Sequence, residues 1–166
     1  VTPDPDWSRL TSSAHPRIIY TDADFEAIRK GISGNPVLAE IHNGIIAIAT
    51  SSLTAADLER KLSGKRLLDV SRNAEERILS CAYAYKTTSD RRFLEKAEHD
   101  IVTVCNFSDW NARKHFLDVG EMAAGVALGY DWLYNELSDE TKSLVCRKLN
   151  EFAFSPALGK VWNLDF

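Results

Sequence analysis

Trp110, Asn111, Arg113, His115 and Glu121 lie close together in the sequence and combine a flat apolar ring, amide and imidazole groups, a guanidinium and a carboxylate. Such a set suits a sugar. Trp110 can stack on a pyranose ring, Asn111 and His115 can reach hydroxyls or a carboxylate, and Arg113 can pair with carboxylate or sulfate in a two-pronged geometry. Phe107, Lys114 and Phe116 extend the same mixture. The opposing reading is architectural: Trp110 and Phe116 pin the loop to the core while Arg113 and Lys114 are solvated. His115 is a ligand-facing donor, a proton-transfer group near neutral pH, or a residue bonded to local backbone where a helix starts. Glu121 either faces solvent or, if buried, needs a partner such as Arg77 or Arg113.

Other reactive side chains form no further constellation. His15, His42 and His99 share no ligand spacing, so no metal is expected, and no cofactor motif such as a Walker loop, a dinucleotide fingerprint, GxSxG or HExxH occurs. Cys81, Cys105 and Cys146 make neither an even disulfide framework nor a CxxC pattern and read as buried free thiols. Asp118 reads as a helix N-cap, and Tyr83, Tyr85, Tyr130 and Tyr134 as packing residues. Asn106-Phe107-Ser108 matches a glycosylation sequon, a pattern frequent by chance.

The elements that must position these residues are helices. Residues 1–20, with Pro3, Pro5 and Pro16, read as an irregular lead-in. Thr21 caps a helix carrying Phe25, Ile28 and Ile32, and Pro36 opens another to about Ser51 with Leu38, Ile41, Ile45 and Ile48 as its buried stripe. A short helix is expected from Thr54 to Leu62. A longer one from about Ser71 to Lys86 and another from Arg91, joined through Thr87-Thr88-Ser89-Asp90, make an αα-hairpin. A second hairpin joins the helix Asp118 to Glu136 to one starting after Ser138.

The Asp118 to Glu136 helix holds Gly120, Gly125 and Gly129 among alanines on one side and Val119, Met122, Val126, Tyr130 and Leu133 on the other. Interior glycines each cost about 1 kcal/mol of helix propensity relative to alanine, so close approach by neighbouring backbones is the expected compensation. No segment alternates with period two, so the fold class is all-α, with antiparallel hairpins suggesting a solenoid or a toroid.

Composition narrows the partners. The 166 residues carry a net charge of -4, which argues against a general nucleic-acid binder. No apolar run approaches the ~20 residues that span a bilayer, and Glu121 and Asp131 weigh against a membrane reading of the glycine-rich helix.

Several stretches together resemble the N-terminal helical region of heparinase II/III-like polysaccharide lyases. They are His15-Pro16-Arg17-Ile18-Ile19-Tyr20-Thr21, Ala82-Tyr83-Ala84-Tyr85 before Thr88-Ser89-Asp90, Trp110-Asn111 leading to His115-Phe116-Leu117-Asp118-Val119-Gly120-Glu121-Met122, and Gly129-Tyr130-Asp131-Trp132-Leu133-Tyr134. The resemblance implies an α/α toroid followed by β-rich domains, an anionic uronic-acid polysaccharide such as heparan sulfate or alginate as substrate, β-elimination as the reaction, and a periplasmic or secreted location. It also implies that the reacting groups lie beyond the region of Val161-Trp162-Asn163. Residues 21–166 are then part of a toroid truncated at its C-terminal side, and Trp110, Asn111, Arg113, His115 and Glu121 contribute to a substrate canyon. The alternative expectation is a non-catalytic glycan-binding or protein-interaction helical module.

Overall fold

Thr21 opens the first helix through a reciprocal cap: its side chain accepts the Asp24 N–H, and the Asp24 carboxylate accepts the Thr21 N–H at 2.7 Å. The computed structural model describes residues 14–159. Helix α1 spans Asp22–Gly31, and a 3₁₀ turn, Ile32–Gly34, leads to α2, Pro36–Ser52. Asn35 caps α2 by accepting the Val37 and Leu38 N–H groups, and Pro36 occupies the first turn, where a missing N–H costs nothing.

No helix forms between Thr54 and Leu67, in contrast to the expectation from the sequence. Tertiary contacts consume that stretch instead. The Ala56 carbonyl accepts Arg77 Nη1 at 2.9 Å, Arg60 reaches Asp109, and a turn closed by Ser63 and Arg66 places Gly64 at φ 61°, where a side chain would be strained.

Helices α3, Leu68–Thr88, and α4, Arg91–Cys105, form the expected hairpin. Ser89 closes α3 at φ 62° and the Asp90 side chain caps α4 by accepting the Arg92 N–H. Their antiparallel course brings Arg77 onto both oxygens of the buried Asp100 at 2.9 Å each, with Lys96 at 3.0 Å as a second cation. Both acid and guanidinium are dry, so loss of Asp100 would strand the buried Arg77 charge, whereas loss of Arg77 would leave the carboxylate with Lys96 alone.

Helix α5 spans Phe116–Leu133 and α6 Asp139–Leu149, with the Ser138 hydroxyl capping α6 by accepting the Thr141 N–H at 3.1 Å. A π-helical turn, Asn150–Phe154, and a last short helix, α7, Ser155–Leu158, follow. The described residues are all-helical, with α3 central between α2, α4 and α5. No described helix is long and apolar enough to cross a membrane.

Close packing of α5 on α3 accounts for two of its glycines. A Cβ on Gly125 would stand 2.7 Å from the Glu75 Cα, and one on Gly129 would stand 2.3 Å from the Ile78 Cγ2. Gly120 faces open space, and nothing in the packing explains it. The helix begins two residues before Asp118, whose expected role as N-cap is therefore corrected: His115 holds that position, and Asp118 is a buried carboxylate inside the first turn.

Two apolar clusters fill the interior. One gathers Ile78, Ile101, Val104, Trp110, Met122 and Val126; the other gathers Phe25, Ala82, Phe93, Leu94, Trp132 and Leu133. The α2 stripe departs from expectation, because Ile41 is 55% and Ile48 38% exposed. Helix α2 packs chiefly against α3, so one face has a neighbour and its isoleucines border open space. Cys81 and Cys105 are buried as expected, whereas Cys146 is exposed.

The lead-in is irregular from Ala14 to Tyr20 and is tied down by Asp131. That carboxylate accepts His15 Nδ1 at 2.7 Å, the Arg17 N–H at 2.9 Å and the Ile18 N–H at 2.8 Å. The His15 ring stacks on Tyr134 with centroids 3.9 Å apart. The rest of the expected lead-in, residues 1–13, and the end of the expected helical domain, residues 160–166, lie outside the described residues.

Candidate functional site

The segment from Asp109 to Lys114 forms one wall of a cleft of about 740 Å³, completed by Arg60 and Leu62 and by Glu151, Phe152, Ser155 and Pro156. Its shape follows from local chemistry. The Asp109 carboxylate accepts the Asn111 N–H at 2.7 Å, an Asx turn, and Asn111 sits at φ 68°, a conformation asparagine tolerates better than most residues. The Asn111 carbonyl accepts the Lys114 and His115 N–H groups at 3.0 Å and 3.1 Å, closing the loop against the start of α5.

Two carboxylates fasten the loop. Asp118 accepts Asn111 Nδ2 at 2.9 Å, the Leu67 N–H at 2.6 Å and Arg66 Nε at 2.9 Å. Burial alone would raise its pKa, but the hydrogen bonds from Arg66, Asn111 and Leu67 prevail and hold the carboxyl below the ordinary range. Asp109 behaves alike: burial opposes ionisation, and Arg60 with the Asn111 N–H outweighs it. Arg60 donates to the Asp109 carboxylate at 2.8 Å.

The proposed stacking role of Trp110 is corrected by its burial. It is 0% exposed, its indole N–H donates to the Val104 carbonyl at 2.9 Å, and Phe152 packs edge-on with centroids 5.5 Å apart. Asn111 is also buried, and its amide is spent on Asp118 and the Lys65 carbonyl, the latter at 2.9 Å. Arg113 and Lys114 are exposed on the cleft, with no side-chain hydrogen bond or ion pair among the described residues.

His115 does not line this cleft; its Nδ1 lies 3.8 Å from Asp118, beyond hydrogen-bonding reach. Glu121 is likewise apart and partly exposed. Its partner is Arg72, bound through two contacts of 2.8 Å and 3.0 Å, in place of Arg77, which holds Asp100, or Arg113.

Arg60 and Phe152 belong to the cleft although they stand far from the loop in sequence. Only the Asp109 and Asn111 spacing carried a local signal for the loop, as an Asx turn. Among the described residues no His or Tyr lines the cleft. The cleft joins apolar surface to the exposed Arg113 and Lys114, beside two carboxylates that are already paired, Asp109 with Arg60 and Glu151 with Lys148. No family model matches the chain, and no curated protein matches it.

Proposed function

We propose that the chain is the N-terminal helical part of a polysaccharide lyase of the heparinase II/III-like kind, and that its hairpins form part of an α/α toroid. The cleft beside Asp109 to Lys114 contributes a wall that contacts a uronic-acid polymer. One observation carries this reading: Arg113 and Lys114 stand exposed and unneutralised on a cleft large enough for sugar residues. Arg60, in the same cleft, already has Asp109 as counter-ion, which leaves the two loop cations for carboxylate or sulfate groups.

In β-elimination a base removes the C5 proton of the uronate, the C4–O bond breaks and an acid protonates the departing sugar oxygen. A further group must offset charge on the uronate carboxylate as the proton leaves. Arg113 and Lys114 bind and orient the anionic chain in this scheme, and the base and acid come from other parts of the protein. Polymers of this size lie outside the cytoplasm, which makes the site of action periplasmic or extracellular.

Binding of heparan sulfate, alginate and hyaluronan to the chain, with neutral dextran as control, tests the assignment by affinity electrophoresis. Retardation by uronate polymers that fades with added salt is expected, because exposed charges are screened. The product of the full gene should generate the ultraviolet-absorbing unsaturated uronate from at least one of these polymers. Equal retardation by dextran, or no retardation at all, would remove the glycan assignment.

A further inference from the structure

Arg60 lines the cleft with its guanidinium already fixed along one edge. Nε donates to the Asp109 carbonyl at 3.3 Å and Nη2 to the Asp109 carboxylate at 2.8 Å, and the Asn111 N–H holds that carboxylate in turn at 2.7 Å. This contact uses the side of the group that carries Nε. A guanidinium has five N–H donors in one plane, so the outer fork, formed by Nη1 and the second proton of Nη2, is left for another acceptor. Asp109 neutralises the charge of Arg60 and not its remaining donors.

The other arginines held in the same side-on manner differ. Arg77 grips Asp100 through Nε and Nη2, but its Nη1 is spent on the Ala56 carbonyl. Arg72 grips Glu121 and Arg66 grips Asp118, and neither arginine lines the cleft. Nη1 of Arg60 has no acceptor among the described residues and is not shut away from solvent, on a side chain 26% exposed.

Rigidity separates Arg60 from its two cationic neighbours. Arg113 and Lys114 are exposed and unpaired, so they must give up rotamer freedom when a ligand arrives, whereas Arg60 has already yielded it to Asp109. A carboxylate is planar and matches a guanidinium fork with two parallel bonds, which an ammonium cannot supply. Leu62, Ala112, Phe152 and Pro156 line the same cleft and offer apolar surface to a sugar ring. Resting on the uronate reading of the cleft, we infer that Arg60 is its specificity-determining residue. The outer fork takes the carboxylate of one uronate in two parallel N–H···O bonds, and Arg113 and Lys114 hold the polymer by charge.

Heparan sulfate and the same polymer with its carboxylates reduced to alcohols test this on the whole chain by affinity electrophoresis. Arg60→Lys keeps the charge and removes the fork, so the preference for the carboxylated form should fall at least about threefold from the wild-type value. Arg113→Lys should leave that preference unchanged. A second measurement needs no variant that folds: in the wild type, the Arg60 guanidinium resonances in nitrogen-15 spectra should shift with hyaluronan oligosaccharides and stay in place with their carboxyl-reduced forms. An unchanged preference in Arg60→Lys, an equal fall in Arg113→Lys, or Arg60 resonances indifferent to the carboxylate would each overturn the inference and leave the uronate reading on Arg113 and Lys114. Failure of the wild type to bind either polymer would remove the uronate reading itself, and this inference with it.

Discussion

The side-chain amide of Asn111 donates to the carboxylate of Asp118 at 2.9 Å, and this one bond joins the left-handed apex of the cleft loop to the first turn of α5. Asn111→Gly keeps the backbone conformation and removes the bond; Asn111→Ala removes both. The glycine variant should lose roughly 1–3 kcal/mol, the range for a bond to a buried charged group, and the alanine variant about 1 kcal/mol more. Urea unfolding measures the difference, and equal midpoints for the two variants would contradict the role given to the positive φ.

Acid stability should depend on Asp118 with a definite sign. Its folded carboxyl lies below the ordinary value, so it contributes stability above about pH 4, lost as pH falls through that value toward the folded one. Glu75 acts in the opposite sense. Burial first, and Glu121 second, raise its pKa, so its contribution is present in acid and lost as pH rises through the raised value. Asp118→Asn should therefore destabilise at neutral pH and flatten the decline below about pH 4. Glu75→Gln should raise the neutral melting temperature, with no difference from wild type in acid. An Asp118→Asn protein with an unchanged acid limb would argue against this account.

The glycines of α5 should respond differently to alanine. Gly125→Ala and Gly129→Ala place a methyl group against Glu75 backbone and the Ile78 side chain, and overpacking of this kind costs about 1–3 kcal/mol. Gly120→Ala meets nothing within 4 Å and should stabilise by about 1 kcal/mol through helix propensity. Thermal melts of the three variants in one buffer settle the ordering.

Loop residues that support the cleft and those that face it should separate in experiment. Arg113→Ala with Lys114→Ala should weaken uronate-polymer binding severalfold, with the melting temperature close to that of wild type, since both side chains are exposed. Trp110→Phe should lower the melting temperature through loss of the bond to Val104, and Trp110→Ala should cost about 3–5 kcal/mol. Undiminished binding in the double variant would sever the loop from the ligand.

Thiol chemistry offers a check on burial. Burial pushes the Cys81 thiol up to about 11 and the Cys105 thiol up to about 12, which keeps both protonated and shielded. A disulfide reagent at neutral pH should titrate one thiol quickly in the native protein, Cys146, and all three in denaturant. Rapid native reaction of Cys81 or Cys105 would contradict the packing around α3 and α4.

Helix placement was legible wherever apolar spacing and a capping residue agreed. Thr21, Asn35, Asp90 and Ser138 each cap the helix that comes after them, and Phe93, Leu94, Ala97, Ile101, Val104 and Cys105 are all buried. Legibility ended where a distant group decided the outcome. The stretch after Thr54 has helix-forming composition, yet Arg77, Asp109 and Asp118 draw its carbonyl, side-chain and N–H groups into contacts that a helix would deny them. The α2 stripe has helical spacing and a helix, but spacing says which residues share a face and nothing about whether a neighbour covers it.

Local sequence is enough to specify the helical class of the described residues, the caps at Thr21 and Ser138, the αα-hairpin at Ser89-Asp90 and the need for close packing along α5, because these depend on neighbours three or four residues away. The site is a product of long-range packing. That packing buried Trp110 and Asn111 as supports, paired Glu121 with Arg72, brought Arg60 and Phe152 beside the loop, and left Arg113 and Lys114 facing the cleft. Solvent access and ionic partnership are set by residues tens of positions apart, and a local pattern carries no record of which distant group arrives.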